Sequence, residues 1–180
     1  AIIQQLQKMG CSVEKRIDNF MHDMALNEGI NLDDVHQDYI VDDVKVTFFT
    51  PTPPMDAPFL ADSAWSLVNG IRVAELNALF ESKALLIDER NKIRDHYDLW
   101  WFCEHQGKHF VDILAVYKRY KSYIGAQHLT AKLLIEKYPA NDEPIDGMTA
   151  TPVSAEDLST RFEALISEYE VATAAAAFSK

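Results

Sequence analysis

The sequence predicts an α+β protein, mostly helical, in which a small sheet with a hairpin precedes a C-terminal helical bundle. Three observations predict it. Two β-rich runs, Val35 to Val41 and Val44 to Phe49, flank Asp42-Asp43, the pattern of a hairpin closed by a two-residue turn. From Ala74 onward, apolar residues recur mainly at helical spacing. Between these regions Thr50 to Pro58 carries four prolines, a rigid extended connector and the best candidate boundary.

The elements follow in order. Ile2, Ile3, Leu6 and Met9 recur at helical spacing, and Gly10 marks a stop. Ser12 to Asp18 reads as a strand, and Asn19 to Leu26 as a short helix. The hairpin and connector come next, then a short strand at Ile71 to Val73. A helix over Ala74 to Glu89 places Leu76, Leu79, Phe80, Lys83, Leu86 and Ile87 in register. A second helix runs from Arg94 to His105 and ends at Gln106-Gly107. A third spans Phe110 to Lys121, and a fourth runs from Ala126 to Tyr138, stopped by Pro139. NDEPIDGMTATP is a polar loop. Ser154 then caps a long last helix, with Asp157 completing a loose capping box. No internal repeat is present.

Composition narrows the function classes. At 180 residues and 48% hydrophobic, the chain can bury a core without covalent staples. Its 28 acidic and 17 basic side chains give a net charge of −11, a field that repels nucleic acid outside a local basic patch. Cys11 and Cys103 are too few for a disulfide framework, so a reduced cytoplasm and no disulfide partner are expected. No apolar run approaches the roughly 18 residues of a membrane span, and no signal peptide is visible, so no membrane partner is expected. A chain opening at Ala1 within a helical pattern reads as processed or truncated.

One segment concentrates charge. In KALLIDERNKIRDHYDLWWF, Lys83 and Arg90 are two helical turns apart and share a face. Arg94 and Asp98 are spaced to pair at i,i+4, and Asp95 can meet Arg90 or Lys92 across the turn. The stretch reads either as two helices stitched by ion pairs over an aromatic core or as a cationic cleft wall. On the second reading Lys83, Arg90 and Arg94 face phosphates while Asp95 and Asp98 hold the arginines in place. Three other patterns carry chemistry. Cys103, His105 and His109 have a C-x-H-x3-H spacing, but a closed zinc site needs a fourth ligand, so no metal is assigned. Lys118, Arg119 and Lys121 alternate with tyrosines, as single-stranded RNA contacts do. The same cations also suit a helix C-terminus. Asp33, Asp34, Asp38, Asp42 and Asp43 could hold Mg²⁺, although turn chemistry accounts for most of them.

IRVAELNALFESKALLIDERNKIRDHYDLWWF resembles the motif of the AbiEii/AbiGii toxin family of nucleotidyltransferases, a branch of the polymerase-β-like superfamily. The residues that carry the resemblance are Lys83, Ala84, Leu85, Arg90, Lys92, Arg94, Asp95, Tyr97, Asp98 and Leu99. VDDVKVTFF is similar to the family's hairpin. The resemblance implies that residues 1–73 are the distal part of a small mixed nucleotidyltransferase sheet and residues 74–180 a helical lobe, with the nucleotide between them. It implies Lys83 facing the triphosphate, Asp95 or Asp98 in the acidic pair of the last motif, and catalytic roles for all three. It further implies an NTP and Mg²⁺, tRNA or another RNA as acceptor, an operon-encoded antitoxin, and action as a toxin in a toxin–antitoxin or phage-defence system. The family's first motif, a Gly-Gly or Gly-Ser turn followed by D-x-D, has no counterpart in this sequence. That motif is expected upstream of Ala1, which makes this chain an inactive C-terminal portion. The alternative is a degenerate relative that binds a partner protein or a nucleotide without turnover.

Overall fold

The computed structural model of the chain describes residues 2–50, 63–68, 70–135, 137–139, 142, 145 and 153–178. The chain divides into two compact units, Ala1–Leu60 and Ala61–Lys180. The fold is α+β and mostly helical, with a small antiparallel sheet and a C-terminal helical region.

In the first unit, α1 (Ile2–Lys8) leads into β1 (Val13–Arg16). α2 (Asn19–Asn27) starts at Asp18, whose carboxylate accepts from the backbone N–H groups of Phe20 and Met21. This side-chain cap supplies acceptors that the first turn of a helix otherwise lacks. α3 (Leu32–Val35) takes Val35 from the expected strand, so β2 begins one residue later (His36–Val41). β2 pairs antiparallel with β1 on one side and with β3 (Val44–Phe49) on the other. Val41 faces Val44 across the turn, where Asp42 (φ 45°) and Asp43 (φ 66°) both adopt positive φ, as a type I′ hairpin requires. The connector Pro51 to Pro58 lies outside the described residues.

The second unit begins with β4 (Trp65–Val68), which pairs antiparallel with β5 (Ile71–Ala74). The sequence reading grouped residues up to Val73 with the sheet of the first unit. Among the described strands β4 and β5 pair only with each other. β5 then passes through Glu75 directly into α4 (Leu76–Glu89). α5 (Ile93–Gln106) ends at Gly107, which is left-handed (φ 61°), and α6 (Phe110–Tyr120) ends at Lys121. α7 (Ala126–Leu133) is five residues shorter than its periodicity predicts. Its backbone turns away at Leu134, where long-range contacts meet the helix end. The Nε2–H of buried His96 donates to the Lys132 carbonyl (2.9 Å), and Tyr138 packs edge-on to the same imidazole. α8 (Ala155–Phe178) has the expected capping box: Ser154 Oγ accepts from Asp157 N, and the Asp157 carboxylate accepts from Ser154 N. NDEPIDGMTATP lies outside the described residues except for Asp142 and Ile145.

α4 packs against α5, α6 and α7, while α8 closes over α5, α6 and α7. Phe80, Ile87, Leu99, Phe110, Ile113, Tyr117, Leu129, Leu158 and Phe162 form the core, each essentially inaccessible. The Tyr117 hydroxyl donates to the Ala84 carbonyl (2.8 Å), so even the largest buried side chain keeps its polar atom satisfied.

Candidate functional site

The α4–α5 junction carries a pocket of about 440 Å³. α4 supplies Lys83 and, at its C-cap, Arg90. The junction itself gives Lys92, and one face of α5 gives Arg94, Asp95, Tyr97 and Asp98; Ile145 completes the described lining. The face exists because residues 94, 97 and 98 lie at i, i+3 and i+4.

Asp95 organises the cations. Its side chain is 2% exposed, it accepts from Arg90 Nε (2.7 Å) and Nη2 (3.2 Å), and Lys83 Nζ lies 2.9 Å away. Burial pushes this carboxyl up, but hydrogen bonds from Arg90 and Lys83 and their charges outweigh it and hold it below the usual carboxylate range. Desolvation alone would lower Lys83, whereas hydrogen bonds to Asp98 and Asp95 raise it above an ordinary lysine. Lys83 also reaches Asp98 Oδ2 at 2.7 Å. Spacing along α5 pointed Asp98 to Arg94, but docking of α4 on α5 brings it to Lys83.

Asp142, which sequence reasoning passed over as part of a polar loop, supports the far side. Its side chain is 5% exposed; Oδ1 lies 3.1 Å from Lys92 Nζ and Oδ2 accepts from Ile93 N (2.7 Å). It thus places a carboxylate on the positive end of α5 from forty-nine residues away. Only its acidic character was visible in the sequence, and nothing local signalled the long-range contact. The tryptophans sit beside the pocket residues. Trp100 packs on the cluster of Ile145, Val153 and Leu158, with the Arg161 guanidinium 4.0 Å over its ring. Trp101 stacks on His105. Both tryptophans are half-buried, so the full anchoring of α5 comes from His96, Leu99 and Phe102.

The other candidate residues lie elsewhere in the unit. Lys121, expected to touch RNA, is 7% exposed and is held by Glu89 (2.8 Å) and Asp88 (3.4 Å). Arg119 lies 3.8 Å from Glu81, and Lys118 is exposed on the last turn of α6. The structure therefore separates this basic run into one core cation and two outer ones. In the Cys103–His105–His109 run, burial pushes the Cys103 thiol up to about 12, and His109 is used in a capping box with Asp112. Cys11 and Cys103 are both free. In the first unit the acidic residues are spent locally: Asp33 on Lys15, Asp38 on Lys45 and Thr47, and Asp42 on Ser12 N.

Among the described residues no group of three or more His, Cys, Asp or Glu side chains could hold a metal ion. Asp95 and Asp98 are both committed to cations, so the described part of the pocket does not fit Mg²⁺. Four cations on its described lining face Asp95 and Asp98 there and Asp142 behind Lys92, an excess of positive charge that suits an anion. No helix among the described residues is long and apolar enough to cross a membrane. No protein-family model matches the chain, nor does any curated protein or solved structure.

Proposed function

We propose that the α4–α5 pocket binds the phosphates of a nucleoside triphosphate, as the phosphate-facing wall of a nucleotidyltransferase-like protein of the AbiEii/AbiGii type. The observation that carries this reading is the reversal of sign. A chain of net charge −11 gathers Lys83, Arg90, Lys92 and Arg94 on one pocket, and a buried carboxylate, Asp95, fixes two of them. Tyr97 and Ile145, the uncharged residues of the described lining, offer a nucleoside an apolar side.

In this role Lys83 and Arg90 meet the negative charge of the phosphates, including charge that develops during phosphoryl or nucleotidyl transfer. Asp95 is a positioning residue that holds both cations without touching the ligand. Transfer to an RNA acceptor such as tRNA, toxin action, cytoplasmic location and an antitoxin partner belong to the same proposal.

A second reading is nucleotide binding without turnover. It is favoured by the commitment of Asp95 and Asp98 to cations.

Calorimetric titration of the chain with each of the four NTPs tests the binding step. We expect saturable binding that Lys83→Ala weakens at least tenfold. The variant keeps its fold because Arg90 still pairs with Asp95. Equal binding by wild type and variant, or no binding by either, removes the proposal. Labelled NTP with Mg²⁺ and tRNA then separates the readings: label transferred to RNA supports the transferase, and intact recovered nucleotide supports binding alone.

A further inference from the structure

We infer that Asp98 is an internal stand-in for a ligand phosphate, and that it restricts the pocket to ligands with two or more linked phosphates. The inference rests on the phosphate-binding reading of the same pocket.

Lys83 has two carboxylates within ion-pair distance, Asp95 at 2.9 Å and Asp98 at 2.7 Å, and they are not equivalent. Asp95 is sealed, with a side chain 2% exposed and a second tie to Arg90. Removing it from Lys83 would strand charge in the interior. Asp98 is 41% exposed and meets the ammonium on the lining of the same pocket. Released, its carboxylate is hydrated at once, so the exchange costs only what a partly exposed pair is worth. Asp95 is shared between Lys83 and Arg90, so the two cations carry one charge more than it balances, and Asp98 supplies the second carboxylate. The second therefore occupies, with a charge-assisted contact, the side from which an external oxyanion would come.

Displacement has a direction. An intramolecular carboxylate competes at high effective concentration, so a single phosphate offering one contact gains little by replacing it. A linked di- or triphosphate seats one group on Lys83 while the next meets the outer edge of Arg90, whose side chain is 51% exposed. Two contacts then offset the loss of one. Asp98 thereby sets an affinity threshold that a linked polyphosphate passes and a single phosphate does not.

The test titrates the whole chain with orthophosphate, pyrophosphate and tripolyphosphate at one fixed low ionic strength. Wild type, Asp98→Asn, Lys83→Ala and Glu104→Gln are compared. Glu104, exposed on the same helix, controls for the loss of one surface charge. We expect wild type to bind tripolyphosphate and pyrophosphate and not orthophosphate. Asp98→Asn should bind tripolyphosphate about two- to fivefold tighter, the range open to a partly exposed pair, and should gain on orthophosphate by the same factor. Glu104→Gln should match wild type. If Asp98→Asn binds no tighter than wild type while Lys83→Ala abolishes binding, the inference falls and the phosphate reading stands. Tightening by Glu104→Gln equal to that by Asp98→Asn also overturns it. If no form binds any of the three anions, or all four bind alike, both fall.

Discussion

Asp95 is the residue on which the charged pocket depends. Its two cationic partners are partly exposed, at 28% for the Lys83 side chain and 51% for Arg90, whereas its own side chain is enclosed. Replacing it by Ala therefore removes the inner end of two ion pairs at once and leaves Lys83 partly buried beside Asp98 alone. We expect a loss of about 3–5 kcal/mol, measured by urea denaturation at neutral pH. Acidification gives a second readout. The folded Asp95 carboxyl lies below its unfolded value of about 3.9, so its contribution is present above that pH and is lost as pH falls through the folded value. The opposite sign holds for Lys83, whose folded value is raised. Its contribution is complete below about 10.4 and is lost as pH rises through the folded value. Asp95→Asn should flatten the acid limb of the stability profile and leave the alkaline limb, although shallower, in place. At this scale the sequence was partly legible. The Arg90–Asp95 contact could be read from spacing because both residues flank one turn. Lys83–Asp98 and Lys92–Asp142 could not, because each needs two segments docked first.

At the scale of elements, termini are fixed by single residues. Gly107 ends α5 at φ 61° with open space around the position where a Cβ would stand. Gly107→Ala therefore meets no clash, and its cost is the left-handed backbone alone, about 1–2 kcal/mol by thermal or chemical denaturation. An effect well above that would mean that the α5–α6 connection needs the glycine for another reason. The Gly107 stop, the Asp42-Asp43 turn and the Ser154 cap were all read correctly in sequence, since each is a local conformational preference. The end of α7 was not. Nothing in LIEKY stops a helix before Pro139. The Lys132 carbonyl that the helix end leaves over is taken by His96, thirty-six residues away. Likewise β4 escaped notice because WSLV is short and all four residues are exposed. Its only local sign was Gly70, which takes a positive φ in the turn before β5.

Across the whole molecule burial is uneven. Ala25 is the one buried hydrophobic residue among those described in the first unit; every other member of the core belongs to the second. Local stability follows buried apolar area, so hydrogen exchange should rank the two units. Amides of β1, β2 and β3 should exchange far faster than those of α4, α5 and α6, although both sets are hydrogen-bonded. Equal protection would show that the first unit gains stability from something other than its own core. The change in periodicity marked the helices from Ala74 onward but not that β4 and β5 fall in the same unit as those helices. The weakness of the first core was not visible, because β2 and β3 have good strand composition whether or not anything covers them.

The C-terminal end of α4 has a mechanical consequence. Asp88 there is held by His128 (2.7 Å) and Lys121 (3.4 Å), its carbonyl accepts from Lys132 Nζ (3.3 Å), and Glu89 takes Lys121 as well. α6, α7 and α4 thus share one anchorage, immediately before Arg90. α4 behaves as a beam clamped at that end, with Lys83 two turns back along its length. Load applied at Arg90 by an arriving anion is carried into three helices instead of bending one. The two cations then keep their spacing under strain, and the contact that yields first is the half-exposed Lys83–Asp98 pair.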